Sequence, residues 1–160
     1  MKFGELIDFV FELPAVWKLR ATPVMKFGRP VMVLPEKLRR FEGTIARLAR
    51  LQKQERGYVG QYSKADKDRV AVELVIAVSS RAGDTDNYIK SILDGLNKAD
   101  LMSDDNLIDL IVARRVFVPK GQEEIKVRFA KIEDAGADRD FIYLKEETEP
   151  CQKKRRSQSS

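Results

Sequence analysis

Four of the aspartates and one of the lysines between positions 84 and 105 are spaced so that they could take part in catalysis. They are Asp84 and Asp86, then Lys90, then the adjacent pair Asp104 and Asp105. Carboxylates that share a site repel one another and raise each other's proton affinity unless a cation neutralises them. Because oxygen ligands favour hard divalent cations, these residue types indicate a Mg²⁺ site at which Mn²⁺ can substitute.

The spacing of the acids predicts how they would meet. Residues 70–79 are apolar on both alternating faces, which is typical of a central strand, and Asp84 and Asp86 follow at a strand-to-helix turn. In extended backbone, residues two apart point to the same side, so both carboxylates are within reach of one cation. Asp104 and Asp105 precede the next predicted strand. If the two strands lie side by side, we expect the intervening helix to bring the second acidic pair near the first.

A purely structural interpretation of these residues is also open. Asp86 can cap the helix and pair with Lys90 four residues later, while Asp104 and Asp105 can form a turn. A calcium-binding loop does not fit, because Ile89 and Gly95 stand where that loop needs its turn glycine and its bidentate glutamate.

The composition excludes several other chemistries. The 160 residues include no histidine and one cysteine, Cys151, which rules out histidine-dependent triads, histidine general bases and an internal disulfide. A net charge of +5 modestly favours a polyanionic partner. No apolar run approaches the roughly 18 residues of a membrane span, and the N-terminus lacks the pattern of a secretory signal. We therefore expect a cytoplasmic protein that needs neither a membrane nor an organic cofactor.

Hydrophobic periodicity predicts one α/β domain of the α+β type over residues 1–144, with a mixed sheet of about four strands and two main helices. The predicted strands cover residues 6–13, 70–79, 107–118 and 124–132. One helix is predicted from Pro35 to about residue 54, and a second over about 86–98.

Three connecting or terminal segments allow two interpretations each. The basic connection 14–35, with a short strand at 31–34, is expected to be irregular and to reach toward a phosphate backbone. In the loop 55–68, which is expected to be mobile, Tyr58 and Tyr62 either stack on unpaired bases or are half-buried. The tail 145–160, expected to be disordered, adds nonspecific DNA affinity or simply solubility. The basic face of the first helix is likewise a DNA contact or a solvated surface.

The central motif resembles the signature of the RusA-type Holliday junction resolvases. Residues 84–90, Asp-Thr-Asp-Asn-x-x-Lys, are similar to the family's DxDN-x-x-K, and residues 93–96 to its LDAL, with Gly95 in place of the usual alanine. The adjacent Asp104 and Asp105 match a turn with two aspartates. The resemblance is strong over about 83–118. Before it, a looser similarity to the family's basic N-terminal loop involves Lys18, Arg20, Gly28, Arg29, Pro30 and Pro35.

This resemblance implies a Mg²⁺-dependent homodimer that binds four-way and other branched DNA and nicks two opposed strands symmetrically, in recombination and repair. The essential acids map to Asp84, Asp86 and Asp105, which would hold the metal. The essential lysine maps to Lys90, which would neutralise charge developing on the phosphate. Asp104 is an extra ligand or a supporting group.

Two other functions remain open. A non-catalytic DNA-binding module would use the basic helix and tail for its contacts, with the acids as caps and turns. A nuclease of the PD-(D/E)xK type would use Glu124 and Lys126, which lie two apart on a predicted strand.

Overall fold

The computed structural model describes residues 2–58 and 61–134, which form six strands and two main helices. The strands are β1 (Lys2–Phe11), β2 (Thr22–Lys26), β3 (Arg29–Val33), β4 (Val70–Val78), β5 (Ile108–Phe117) and β6 (Ile125–Asp134). The helices are α1 (Glu36–Glu55) and α2 (Thr85–Asn97), and a single 3-10 turn covers Asp105–Leu107. The predicted mixed α+β class is confirmed. The predicted boundary at residue 144 and the basic tail lie outside the described residues.

The main sheet has four strands in the order β1-β6-β4-β5. Strand β6 is antiparallel to both of its neighbours, whereas β4 and β5 are parallel and paired from Val70↔Ile108 to Val78↔Phe117. Parallel neighbours need a crossover connection, and α2 supplies it. Strand β5 therefore forms one edge of the sheet, with β4 on its inner side.

One face of the sheet packs against both helices and forms the core. The largest fully buried side chains come from alternate strand positions and from the two helices, and they include Phe9, Phe11, Leu74, Ile76, Phe129, Ile45, Ile92 and Leu96. The opposite face holds a shallow depression lined by Leu6 and Val112, which are 51% and 44% exposed. No helix within the described ranges is both long and apolar enough to cross a membrane.

The connection 14–35 contains a hairpin of which the sequence predicted only the second strand, expected at 31–34 and found at Arg29–Val33. Strands β2 and β3 pair only with each other, through the two-residue turn Phe27-Gly28, where φ is +53° and +75°. Two positive φ values define a turn usually made by Asn-Gly or Asp-Gly, so Phe-Gly gave no signal. Lys26 and Arg29 form the pair that closes the turn, and the prolines lie in the first and third pairs beyond it, Met25↔Pro30 and Pro23↔Met32. These are the pairs of an antiparallel ladder that exchange no backbone hydrogen bonds, so the missing proline N–H costs nothing there.

The described part of the loop 55–68 contacts the core through Tyr62 and Asp68. Tyr62 is 6% exposed, stacks on Phe129 at 6.3 Å and accepts a backbone hydrogen bond from Ser103. Asp68 is buried and pairs with Lys131 at 2.5 Å. Because Tyr62 belongs to the core, it is not available to stack on bases.

The two helices approach closely at Gly95, where a Cβ atom would lie 2.9 Å from both Cβ and Cγ2 of Ile45. Those atoms belong to a β-branched side chain that cannot turn away. We expect Gly95→Ala to destabilise the protein by about 1–3 kcal/mol in urea unfolding, despite the better helix propensity of alanine. The matched control is Gly43→Ala in α1, which meets nothing within 4 Å and should stabilise the protein by up to about 1 kcal/mol. Stabilisation by both changes would contradict the close approach.

Candidate functional site

The first acidic pair lies where β4 leads into α2. Asp84 is the N-cap residue of α2, with extended backbone at φ −90° and ψ 151°, and its side chain makes no capping hydrogen bond. Its exposed carboxylate is therefore left for an external ligand. The sequence predicted that Asp84 and Asp86 are both in extended backbone. In the structure the helical conformation starts at Thr85, so only Asp84 is extended.

Residues that the sequence analysis did not single out hold this turn in place. The Tyr88 hydroxyl donates to the Ala82 carbonyl at 2.7 Å, and the Arg115 guanidinium donates to the Gly83 carbonyl at 2.6 Å. Gly83 has φ +75°, and a Cβ there would lie 2.8 Å from the Trp17 ring. The glycine directly before Asp84 was a usable sequence signal, whereas the contacts of Trp17 and Arg115 come from distant parts of the chain.

Asp86 and Lys90 lie one turn apart on the exposed face of α2. The structure gives the N-cap to Asp84 instead of Asp86, and places Asp86 in the first turn, where negative charge is favourable. Among the ion pairs of the described residues, none joins Asp86 to Lys90. Both charged groups thus remain available to a ligand.

The second acidic pair lies at the 3-10 turn before β5. Asp104 caps this turn, because its Oδ1 accepts a hydrogen bond from the Asn106 N–H at 2.9 Å. That backbone N–H is the main cause that lowers the pKa of Asp104, with Lys64 at 3.8 Å as a further one. Local structure therefore accounts for Asp104, while Asp105 is exposed.

The structure does not bring the two acidic pairs together in one chain. Asp84 follows the end of β4, whereas Asp105 precedes the start of β5, and these strands are parallel. The pairs are therefore at opposite ends of the sheet, separated by roughly a ten-residue strand, or about 30 Å. Over the described ranges no group of three or more acidic, histidine or cysteine side chains is close enough to hold a metal ion. The expectation that α2 returns the second pair to the first was wrong.

The remaining motif residues, and Lys18 before them, are structural. Leu93 and Leu96 are in the core. Asp94 binds Lys18, which also pairs with the buried Glu42 at 3.2 Å. Burial lowers the pKa of Lys18, but hydrogen bonds to Asp94 and Glu42 outweigh it, so that this pKa is raised overall. Lys18 is thus committed to joining the N-terminal connection to both helices, and it does not reach toward a phosphate.

Two arginines add positive charge at the Asp84 end of the sheet. The guanidinium groups of Arg81 and Arg115 lie 5.4 and 5.5 Å from the Phe117 ring, at the end of β5. Such cations near exposed carboxylates suit a phosphate ligand.

The residues of the PD-(D/E)xK alternative are also at this end. Strand β6 is antiparallel to β4, so Glu124 and Lys126 lie beside the end of β4. Their side chains form an ion pair with each other at 2.8 Å.

The fold is therefore a mixed α+β domain that exposes two carboxylates, a lysine and arginines at one end of its sheet. The family model of the endodeoxyribonuclease RusA matches residues 16–128, well over half of the chain and including every residue of both acidic pairs. The chain belongs to the RusA family of endodeoxyribonucleases, which resolve Holliday junctions. No curated protein matches the chain.

Proposed function

We propose that the protein is a Mg²⁺-dependent endonuclease that resolves four-way DNA junctions by paired symmetric nicks. One observation carries the proposal: Asp84, Asp86 and Lys90 are exposed together at the start of α2, within a chain that the RusA family model matches. The carboxylate of Asp84 is not used for capping, and the first turn of a helix favours bound negative charge such as phosphate.

The donor set fits a hard divalent cation only in part within one chain. Asp84 and Asp86 provide two oxygen ligands, but Asp105 is about 30 Å away along the sheet. A site with all three acids therefore needs Asp105 from a second copy. This requirement supports a homodimer in which each of two equal sites combines residues of both chains.

The edge strand β5 is the surface that would bring the acids together. It is ten residues long and carries three charged residues, but it also exposes Ile111, Val112, Val116 and Phe117. A long edge strand with exposed apolar side chains is a site for pairing with another strand. A two-fold axis across this edge makes β5 antiparallel to its copy. The start of one strand, with Asp105, then lies beside the end of the other, where Asp84 follows β4.

The side chains of this site have separate tasks in the proposed reaction. Asp84, Asp86 and the second copy's Asp105 would hold Mg²⁺, which when bound supplies a Lewis acid for phosphate oxygens and makes a bound water more acidic. Lys90 neutralises charge that develops on the phosphate in the transition state. Arg115 keeps Asp84 in position through the Gly83 carbonyl. Asp104 supports the turn that presents Asp105.

Cleavage of a labelled four-way junction, titrated with Mg²⁺ beside linear duplex, tests the proposal. We expect paired nicks confined to the junction. Asp86→Asn should reduce cleavage by more than about a hundredfold, since even residues that only support a metal ligand are worth 10–100-fold. Junction binding by this variant should persist or tighten, because a negative charge near phosphate is lost. The matched control is Glu55→Gln, another exposed carboxylate, which should cleave like the unmodified protein.

Binding of the junction without cleavage in Mg²⁺ or Mn²⁺ would instead favour the non-catalytic module. A normal cleavage rate in Asp86→Asn would contradict the assigned site, and loss of activity only on changing Glu124 and Lys126 would favour the PD-(D/E)xK alternative.

A further inference from the structure

The β2–β3 hairpin projects from the domain and has no role in the site described above. All its strand residues are exposed except the partly buried Val33, and its strands pair only with each other. An isolated two-stranded hairpin is at best marginally stable in water. Its exposed apolar surface, which includes Met25 and Met32 at 66% and 64%, is therefore a cost that folding does not explain.

Phe27, at the tip of the hairpin, is unfavourable in both its exposure and its backbone conformation. Phe27 is 104% exposed, so that no described residue covers its ring, and it adopts φ +53°. A bulky residue in this left-handed region is a rare outlier, and an asparagine would make the same turn at lower cost. A strained, solvent-exposed aromatic ring at a projecting tip indicates contact with a ligand.

The charge around the ring identifies the chemistry of that ligand. Lys26 and Arg29 are paired on either side of the turn, and Arg20 precedes the hairpin; all three are exposed. No aspartate or glutamate occurs anywhere from residue 13 to residue 35. An apolar ring flanked only by cations is complementary to nucleic acid, in which flat bases lie between phosphates. A second copy of the hairpin is a poorer partner, because two arms of the same charge repel each other.

The base of the hairpin lies at the Asp84 end of the domain. Before β2, the Lys18 backbone N–H donates to the Asn87 carbonyl at 2.9 Å, and Trp17 packs against Gly83. After β3, Lys37 at the start of α1 lies 5.6 Å from the Trp17 ring. Five residues per strand let the tip extend about 17 Å beyond this base. DNA held at Asp84 and Asp86 is therefore within reach of Phe27.

We propose that the hairpin is a wedge, in which Phe27 inserts between or stacks on bases at the branch point while Lys26 and Arg29 contact the flanking phosphates. This inference rests on the proposed function, since it takes branched DNA as the ligand. Bases at a branch point are the least constrained in the substrate, so the cost of unstacking them is lowest there. The wedge would give preference for branched over linear DNA without reading sequence.

A junction with 2-aminopurine beside the branch point tests the wedge without requiring cleavage, because the fluorescence of this base reports unstacking. In the absence of metal, the full chain should change this fluorescence on binding. Phe27→Ala should bind about tenfold more weakly to the junction, with little change on linear duplex, and should remove the fluorescence change. Phe27→Trp, which keeps a stacking ring, should restore both. Leu51→Ala, which truncates an apolar side chain on α1 that is 44% exposed, should behave like the unmodified protein.

The outcomes separate this inference from the proposed function. An unchanged fluorescence response in Phe27→Ala would overturn the wedge while leaving the nuclease assignment intact. A wild-type chain that binds and unstacks the junction but never cuts it would support the wedge and overturn the nuclease. A change of oligomeric state in Phe27→Ala, seen by sedimentation velocity, would assign the hairpin to contacts between copies and overturn the wedge.

Discussion

A heterodimer of an Asp86→Asn chain and an Asp105→Asn chain is expected to nick four-way junctions, although each variant alone is inactive. Every site in either homodimer lacks one acid. In the heterodimer, one site combines Asp84 and Asp86 from the second chain with Asp105 from the first and is complete, while the other lacks two acids. Tandem affinity tags isolate this species, which should cut at about half the rate of the unmodified dimer and on one strand only.

The matched control is a heterodimer of an Asp84→Asn chain and an Asp86→Asn chain. Both acids lie at the same end of one sheet, so each site of this heterodimer still lacks a ligand. It should remain as inactive as its parents. Absence of cleavage in the Asp86/Asp105 heterodimer, or activity in the control, would contradict a site shared between two copies.

The second large effect is expected from a lysine on the β5 edge. Ile111 pairs with Val72 and so lies on the helix-facing side of the sheet, where it is 44% exposed. Ile111→Lys is tolerated in a single chain, because the side chain can extend into water. In the proposed dimer it places two like charges near the two-fold axis. We expect dimer affinity in sedimentation velocity to fall at least about tenfold, with junction cleavage falling in parallel.

Leu6→Lys is the matched control for this edge. Leu6 is 51% exposed but lies on β1, at the other edge, and on the opposite face of the sheet. It should leave the dimer and its activity unchanged. If Leu6→Lys dissociates the dimer and Ile111→Lys has no effect, the interface is instead on the face of the sheet opposite the helices.

Regular hydrophobic patterns made the elements of the main sheet predictable. Helix α2 was expected at about 86–98 and is found at Thr85–Asn97, because apolar side chains recur along it at helical spacing. Strand β4 was equally clear, since its two apolar faces fit only a central position. The hairpin was missed because its turn uses Phe27 in a conformation that sequence preferences assign to asparagine or glycine.

The candidate site was predicted as a set of residues but not as an arrangement. The motif identified Asp84, Asp86, Lys90 and Asp105, and their roles remain predictions. The separation of the two acidic pairs could have been predicted. A helix that connects two neighbouring strands usually makes those strands parallel, so the end of the first strand and the start of the second lie at opposite ends of the sheet. The contacts of Trp17 and Arg115 with Gly83 were not predictable, because they depend on packing between segments far apart in sequence.

The parallel pairing of β4 and β5 also fixes the distance between the two sites of the proposed dimer. With β5 antiparallel to its copy, the two sites lie at opposite ends of one strand length. Each strand residue advances about 3.3 Å, close to the roughly 3.4 Å by which each nucleotide of one DNA strand advances along the helix axis. The number of residues in β5 would then determine how many nucleotides separate the two cuts across a junction.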